Sequence, residues 1–179
     1  MMIKKTVLLI LFFFFFVGST FAQEVSPTLT PTPIPVKYNL AFPGMLPDHP
    51  LYKLKVLRDK VTLFLTRDPM KRAGYHLLLA DKRIHMAAML VDKEKIELAK
   101  ETALKGENEY TLLVFLFKDV VKKPDKNFYE RLEKASLKHQ EVLKQMVSKV
   151  EVKDKKDFET VVYFSEKNLD ELRTIYKNY

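Results

Sequence analysis

The chain has 179 residues, with 31 basic against 23 acidic side chains and a net charge of +8, and it contains neither cysteine nor tryptophan. The lack of cysteine excludes a disulfide framework, a thiol nucleophile, a thiolate metal site and a lipidated N-terminal cysteine. The length suits one domain with a core of its own, not two.

In chain order, Lys4 and Lys5 precede an unbroken apolar run, Val7 to Val17, that holds five successive phenylalanines. Gly18, Ser19, Thr20, Phe21 and Ala22 follow. A basic start, a short apolar core and small residues at Thr20 and Ala22 are the layout of a Sec signal peptide cut after Ala22. The run is short of the roughly 20 residues a spanning helix needs. No charge interrupts residues 7–22, so a retained membrane anchor is the alternative. Either way the domain is expected outside the cytoplasm, secreted or associated with the cell envelope.

Residues 23–39 begin QEVSPTLTPTPIPV, rich in proline and threonine and almost uncharged. Such a segment cannot bury enough apolar surface to fold, and is expected to be a disordered spacer. It reads equally as a stalk or as a slack leader.

Residues 40–179 are expected to form an all-α bundle of about five helices. The first runs from Pro50 to Leu65, with Asp48 or His49 as its cap and Pro50 in its first turn. Leu51, Leu54, Leu57, Val61, Phe64 and Leu65 share one face at three-four spacing, which predicts burial of that face. Tyr52, Val56 and Leu63 lie on another side, which predicts cover on more than one face. Asp68 and Pro69 form a second helix start, N-cap and first helical residue.

The second helix is predicted to run to about Lys105, as one long spine. Ala73, Leu77, Ala80, Ile84, Ala87 and Val91 line its stripe. Ile96, Ala99 and Ala103 continue it after a slip in phase, and Gly106 is the expected terminator. The third helix, Asn108 to Lys123, carries LLVFLF and is expected to be central and buried. Pro124 and Asp125 restart the chain. Phe128, Leu132, Ala135, His139, Val142 and Met146 then keep a coiled-coil-like seam. Asp154 and Asp157 open the fifth helix, with Phe158, Val161, Leu169, Leu172, Ile175 and Tyr176 on its apolar side.

The stretch FPGMLPDHPLYKLKVLRDKVTLFLTRDPMKRAGYHLLLADKR resembles the start of a bacterial module, the domain of unknown function numbered 5667. The likeness rests on the proline-rich LPDHPLYKLK segment, the LTRDP junction and the helix beginning KRAGYHLLLADKR. It spans about Leu40 to the middle of the second helix, and beyond it only the helical pattern is similar. It implies an exported or membrane-tethered helical domain and no catalytic residues. Some similar domains sit outside the membrane in proteins that look like signalling or anti-sigma regulators.

Little in the sequence carries chemistry. His49, His76, His85 and His139 form no paired motif of zinc spacing. Asp81, His85 and Met89, with Met86, share a helix face that could suit copper. The plainer reading is an Asp81–His85 pair with methionine filling, and His139 reads as a hydrogen-bonded core histidine. Ser136, Ser148 and Ser165 lack a neighbouring base. Glu107 with Glu109, and Asp170 with Glu171, read as solvated faces. Gly18, Gly44, Gly74 and Gly106 are isolated, so no phosphate loop exists. A non-enzymatic protein without cofactor is the expectation.

Charge is uneven. Between Pro50 and Arg83 nine basic residues face three acidic ones, whereas from Ile84 onward 19 face 18. Lys53, Lys55, Arg58, Lys60, Arg67, Lys71 and Arg72 are the candidate contacts for an anionic polymer or lipid surface, or for an envelope protein. The plain alternative is that their stems cover the core edge while their charges stay in water. Export makes nucleic acid an unsuitable partner. The function expected is a binding or scaffolding module of the envelope. The alternative is an extracytoplasmic sensor tethered by an uncleaved N-terminus.

Overall fold

The computed structural model describes residues 35–119 and 123–177, so the leader, and the spacer as far as residue 34, lie outside the described residues. The bundle is all-α: α1 (Tyr52–Leu65), α2 (Pro69–Asp92), α3 (Ile96–Asp119), α4 (Lys126–Lys149) and α5 (Val152–Lys177), with no strand among the described residues. Val36 and Tyr38, in the stretch read as the end of the spacer, hydrogen-bond to the bundle. The Val36 amide donates to Glu141 at 2.8 Å, and the Tyr38 hydroxyl to Asp81 at 2.7 Å.

Helices α2 to α5 form the body. Helix α2 packs on α3 and α4, and α5 packs on the same two. Polar pairs fix the directions. Lys149 and Asp92 pair near the C-terminal ends of α4 and α2, which therefore run parallel. Lys100 with Asp157, and Lys118 with Glu171, align α3 and α5 in parallel. Arg83 with Glu109 sets α2 against α3, and Arg173 with Glu133 sets α5 against α4. Two antiparallel hairpins thus lie side by side.

The core falls into two apolar clusters. One gathers Ile84, Leu90, Leu143, Met146 and Phe158 near the two hairpin turns. The other gathers Leu77, Tyr110, Leu113, Phe117, Leu132 and Leu172 toward the opposite end. In the third helix Leu112 and Phe115 are 42 % and 49 % exposed, while Leu113, Val114 and Phe117 are buried, so LLVFLF is an amphipathic stretch and not one buried all round.

The long second helix of the sequence reading is two helices. Helix α2 stops at Asp92, and α2 to α5 have similar lengths of 24, 24, 24 and 26 residues, so no single spine exists. The break is a C-terminal cap of Schellman type. The Lys95 amide donates to the Leu90 carbonyl at 2.9 Å, and the Glu94 amide to Val91 at 2.9 Å. Glu94 holds the left-handed position at φ 58°, where a glycine would be usual.

Gly106, the expected terminator, lies instead inside α3. A Cβ there would sit 3.1–3.2 Å from Ile84 and the Arg83 Cβ. The glycine lets α3 and α2 approach closely; it does not end a helix.

The expected cap at Asp68 is present, and Asp125, expected only to restart the chain, caps α4 as well. Asp68 accepts from the Lys71 amide at 2.7 Å with Pro69 at the first helical position, and Asp125 accepts from Phe128 at 2.8 Å. Helix α1 starts differently. Its N-cap position is Leu51, with no side-chain cap. Pro50 stands in the turn before it. The Leu51 amide donates to His49 Nδ1 at 3.2 Å. Asp48 turns away to pair with Lys95 at 2.8 Å and Lys93 at 3.5 Å, fastening this turn to the α2–α3 connection.

Candidate functional site

Helix α1 lies outside the four-helix body with its apolar face turned outward. At about 100° per residue, Leu54, Leu57, Val61 and Leu65 fall along one line of the helix. These four are 63 %, 59 %, 49 % and 68 % exposed, and Phe64 beside them is 84 % exposed. Leu51 is exposed as well. This is the face that periodicity alone assigned to the core. Hydrophobic spacing says that a helix has two unlike sides; it does not say which side meets the protein.

The opposite side is held by polar devices. Asp59 is buried, and its Oδ1 accepts from Arg58 at 2.7 Å and from the Tyr75 hydroxyl on α2 at 3.2 Å. The Lys55 ammonium donates to the carbonyls of Pro43 and Met45 at 2.8 and 3.2 Å. Gly44 between them takes φ 68°, a conformation open to glycine without strain, and so curls the chain around that ammonium. Burial holds the Lys55 pKa below the ordinary lysine value. Tyr52 reaches Met86 on α2 at 4.0 Å.

Magnitudes show how unusual this orientation is. Each outward leucine or phenylalanine would contribute about 1.5–3 kcal/mol if fully buried. Each inward hydrogen bond contributes about 0.5–1.5 kcal/mol net, more where a charge takes part. The outward apolar face, if buried, would therefore contribute more than the inward hydrogen bonds alone return.

The seven basic candidates divide. Lys53 and Lys60 are exposed along one flank of the apolar line, and Arg58, its side chain 65 % exposed, lies on the other. Arg67, Lys71 and Arg72 are exposed just beyond the helix, at the start of α2. Lys55 does not share their surface, since the Pro43–Met45 turn engages it. The one acid of α1, Asp59, faces the body, so the outward half of the helix carries cations and no anion.

A second polar feature lies in the core between the two apolar clusters. His139 is fully buried. Its Nε2 is 2.9 Å from Asp81 Oδ1 and its Nδ1 is 3.0 Å from Glu107 Oε1. Burial alone pushes the imidazole pKa down, but the hydrogen bonds and charges of Asp81 and Glu107 outweigh it and raise it to about 9. Asn168 donates to Glu107 Oε2 at 3.3 Å, and Tyr38 donates to the other oxygen of Asp81. One residue from each helix of the body thus joins this layer. A smaller set lies nearby, where Glu109 bonds His76 at 2.6 Å and pairs with Arg83. Burial would raise the Glu109 pKa, but His76 and Arg83 hold it below the usual value.

These networks correct two readings. Glu107 and Glu109 are buried, not solvated, and Asp81 pairs with His139 and not with His85. His85 Nδ1 lies 3.2 Å from the Ala41 carbonyl, so Asp81 and His85 are engaged by different partners, the one by the core and the other by the incoming chain. His139 is the hydrogen-bonded core histidine expected of it. Glu107 follows Ala99 and Ala103 and precedes Tyr110 and Val114 at three-four spacing. That in-register carboxylate on an apolar stripe was the available sign of its burial.

No curated protein and no solved structure matches the chain. One family model does, over residues 44–153, a span that takes in α1, the LTRDP junction, α2, α3, α4 and the start of α5. The chain belongs to the family described as Domain of unknown function (DUF5667).

Proposed function

We propose that this protein is a non-enzymatic, exported binding module of the cell envelope, and that α1 with the start of α2 is its working surface. The observation that carries this reading is the outward half of α1. It presents exposed Lys53, Arg58 and Lys60 and no exposed carboxylate, and the start of α2 adds Arg67, Lys71 and Arg72 around the single exposed acid Asp68, which caps that helix. A surface of one sign concentrates partners of the other. The signal-like start of the sequence supports placement outside the cytoplasm. The test is binding to anionic vesicles or wall polymer at low and high salt. Wild type should bind and release as salt rises, and Lys53→Glu with Lys60→Glu should lower affinity by more than about tenfold. Equal binding by the double variant would contradict the reading.

A second reading, a tethered sensor, draws on the chain that enters the bundle. The hydroxyl of Tyr38 contacts Asp81, so the end of the stretch read as the spacer touches the buried charge layer directly. A pull on that segment would act on Asp81 and His139. Tyr38→Phe would then alter signalling in the native host without altering vesicle binding. Unchanged signalling would count against the sensor.

A further inference from the structure

The outward apolar line of α1 adds something that electrostatic attraction does not use. We propose that α1 is an interfacial helix that lies in the surface of an anionic lipid bilayer, its leucine and phenylalanine line sunk among the lipids and its cations at the headgroups. This rests on the envelope-binding reading above and names its partner.

Three observations carry it. First, the apolar side chains form a continuous line, Leu54, Leu57, Val61 and Leu65, with Phe64 alongside, and all are about half exposed or more. A contiguous patch of this kind marks an interaction site, unlike scattered exposed leucines. Second, cations border the line on both sides, Lys53 and Lys60 on one and Arg58, its guanidinium also paired with Asp59, on the other, which suits lysine stems that run past lipid and heads that reach phosphate. Third, α1 has 14 residues, about 21 Å of helix, too short to cross a bilayer. Among the described residues no helix is long and apolar enough to cross one. A helix of this design lies on a membrane with its apolar face roughly 5–10 Å deep.

Charge separates this occupant from a second copy of the chain. Two α1 helices brought face to face would set Lys53 and Lys60 of one against the same cations of the other, with no exposed acid on either helix to receive them. A bilayer rich in phosphatidylglycerol offers both the apolar interior and the matching anions. The inward fastening of Lys55 and Asp59 holds the helix in this orientation before any lipid is met.

The absence of tryptophan gives a clean test. Full-length protein carrying Phe64→Trp is titrated with phosphatidylglycerol vesicles that contain bromine-labelled acyl chains. Tyr163→Trp, at an exposed site on α5, is the control. The proposal expects a blue shift and strong quenching for Phe64→Trp, little of either for the control, and loss of both on phosphatidylcholine vesicles. Adding Lys53→Glu and Lys60→Glu should weaken the response by more than about tenfold. Salt-sensitive sedimentation with the vesicles but no quenching at position 64 would overturn insertion while leaving the electrostatic reading intact. No preference for anionic vesicles at all would overturn both. A blue-shifted emission before lipid is added would also overturn the proposal. Dependence on protein concentration would then name a second copy as the cover, and independence a segment of the same chain.

Discussion

A histidine with a carboxylate at each ring nitrogen is charged at neutral pH, and here it stands in a layer between two apolar clusters. Its folded pKa, about 9, lies above the ordinary histidine value of 6.5. The stabilisation this implies is fully present below pH 6.5 and is lost as pH rises through about 9. A shift of this size in a fully buried group is a few kcal/mol in order of magnitude. Urea midpoints should therefore fall between pH 7 and pH 9.5 by more in wild type than in His139→Gln. Equal slopes would show that the imidazole is not held charged by Asp81 and Glu107. Removing the ring altogether, in His139→Ala, leaves two carboxylates facing each other and should cost about 3–5 kcal/mol. Gly106→Ala tests the close contact of α2 and α3. Helix propensity would favour alanine by about 1 kcal/mol. The methyl would meet Ile84 and Arg83 at 3.1–3.2 Å, so overpacking of about 1–3 kcal/mol should win and the melting temperature should drop. Glu94→Gly should act the other way, raising stability by about 0.5–1 kcal/mol in denaturant titrations, because glycine meets φ 58° without strain.

At the scale of elements, α1 and α4 show what a sequence can and cannot announce. Helix α4 was legible in outline, because its restart at Pro124 and Asp125 is local chemistry and Leu132, Ala135, His139 and Met146 of its seam are buried, although Leu143 off the seam is buried too and Val142 on it only partly. The same local chemistry made Asp68 and Pro69 legible. Helix α1 has an equally clear period, yet its leucines face water, because Lys55 and Asp59 bind the chain and helix behind them. Those partners come from residues 43–45 and from Tyr75, and no spacing rule within α1 reveals them. The boundary between α2 and α3 was half visible. The slip in phase before Ile96 was the trace of a turn, hidden because Glu94 and not glycine takes the left-handed position. An element-scale prediction follows from the inward fastening. Asp59→Ala should loosen α1 and speed amide exchange along it while leaving the melting of α2 to α5 nearly unchanged. A large drop in global stability would mean that α1 is an integral part of the body.

For the whole molecule, the all-α architecture followed from periodicity, whereas the pairing of its helices did not. Two hairpins in parallel are specified by contacts between residues far apart in sequence. Asp81 with His139 and Thr111 with Asn168 are two of them. The candidate surface was legible as charge and not as shape. Lys53, Arg58 and Lys60 were visible in the composition of residues 50–83, but the apolar line they border was assigned to the core. What emerges is a bundle with a charged layer inside it and one helix outside it whose polar and apolar sides are reversed. The absence of cysteine allows that reversal to be measured directly. Leu57→Cys and Val56→Cys are each introduced alone, and maleimide labelling rates are compared with and without phosphatidylglycerol vesicles. The account predicts fast labelling at Leu57→Cys, slower labelling at Val56→Cys, and protection of the first by the vesicles. Faster labelling at Val56→Cys, or no protection of Leu57→Cys, would contradict it.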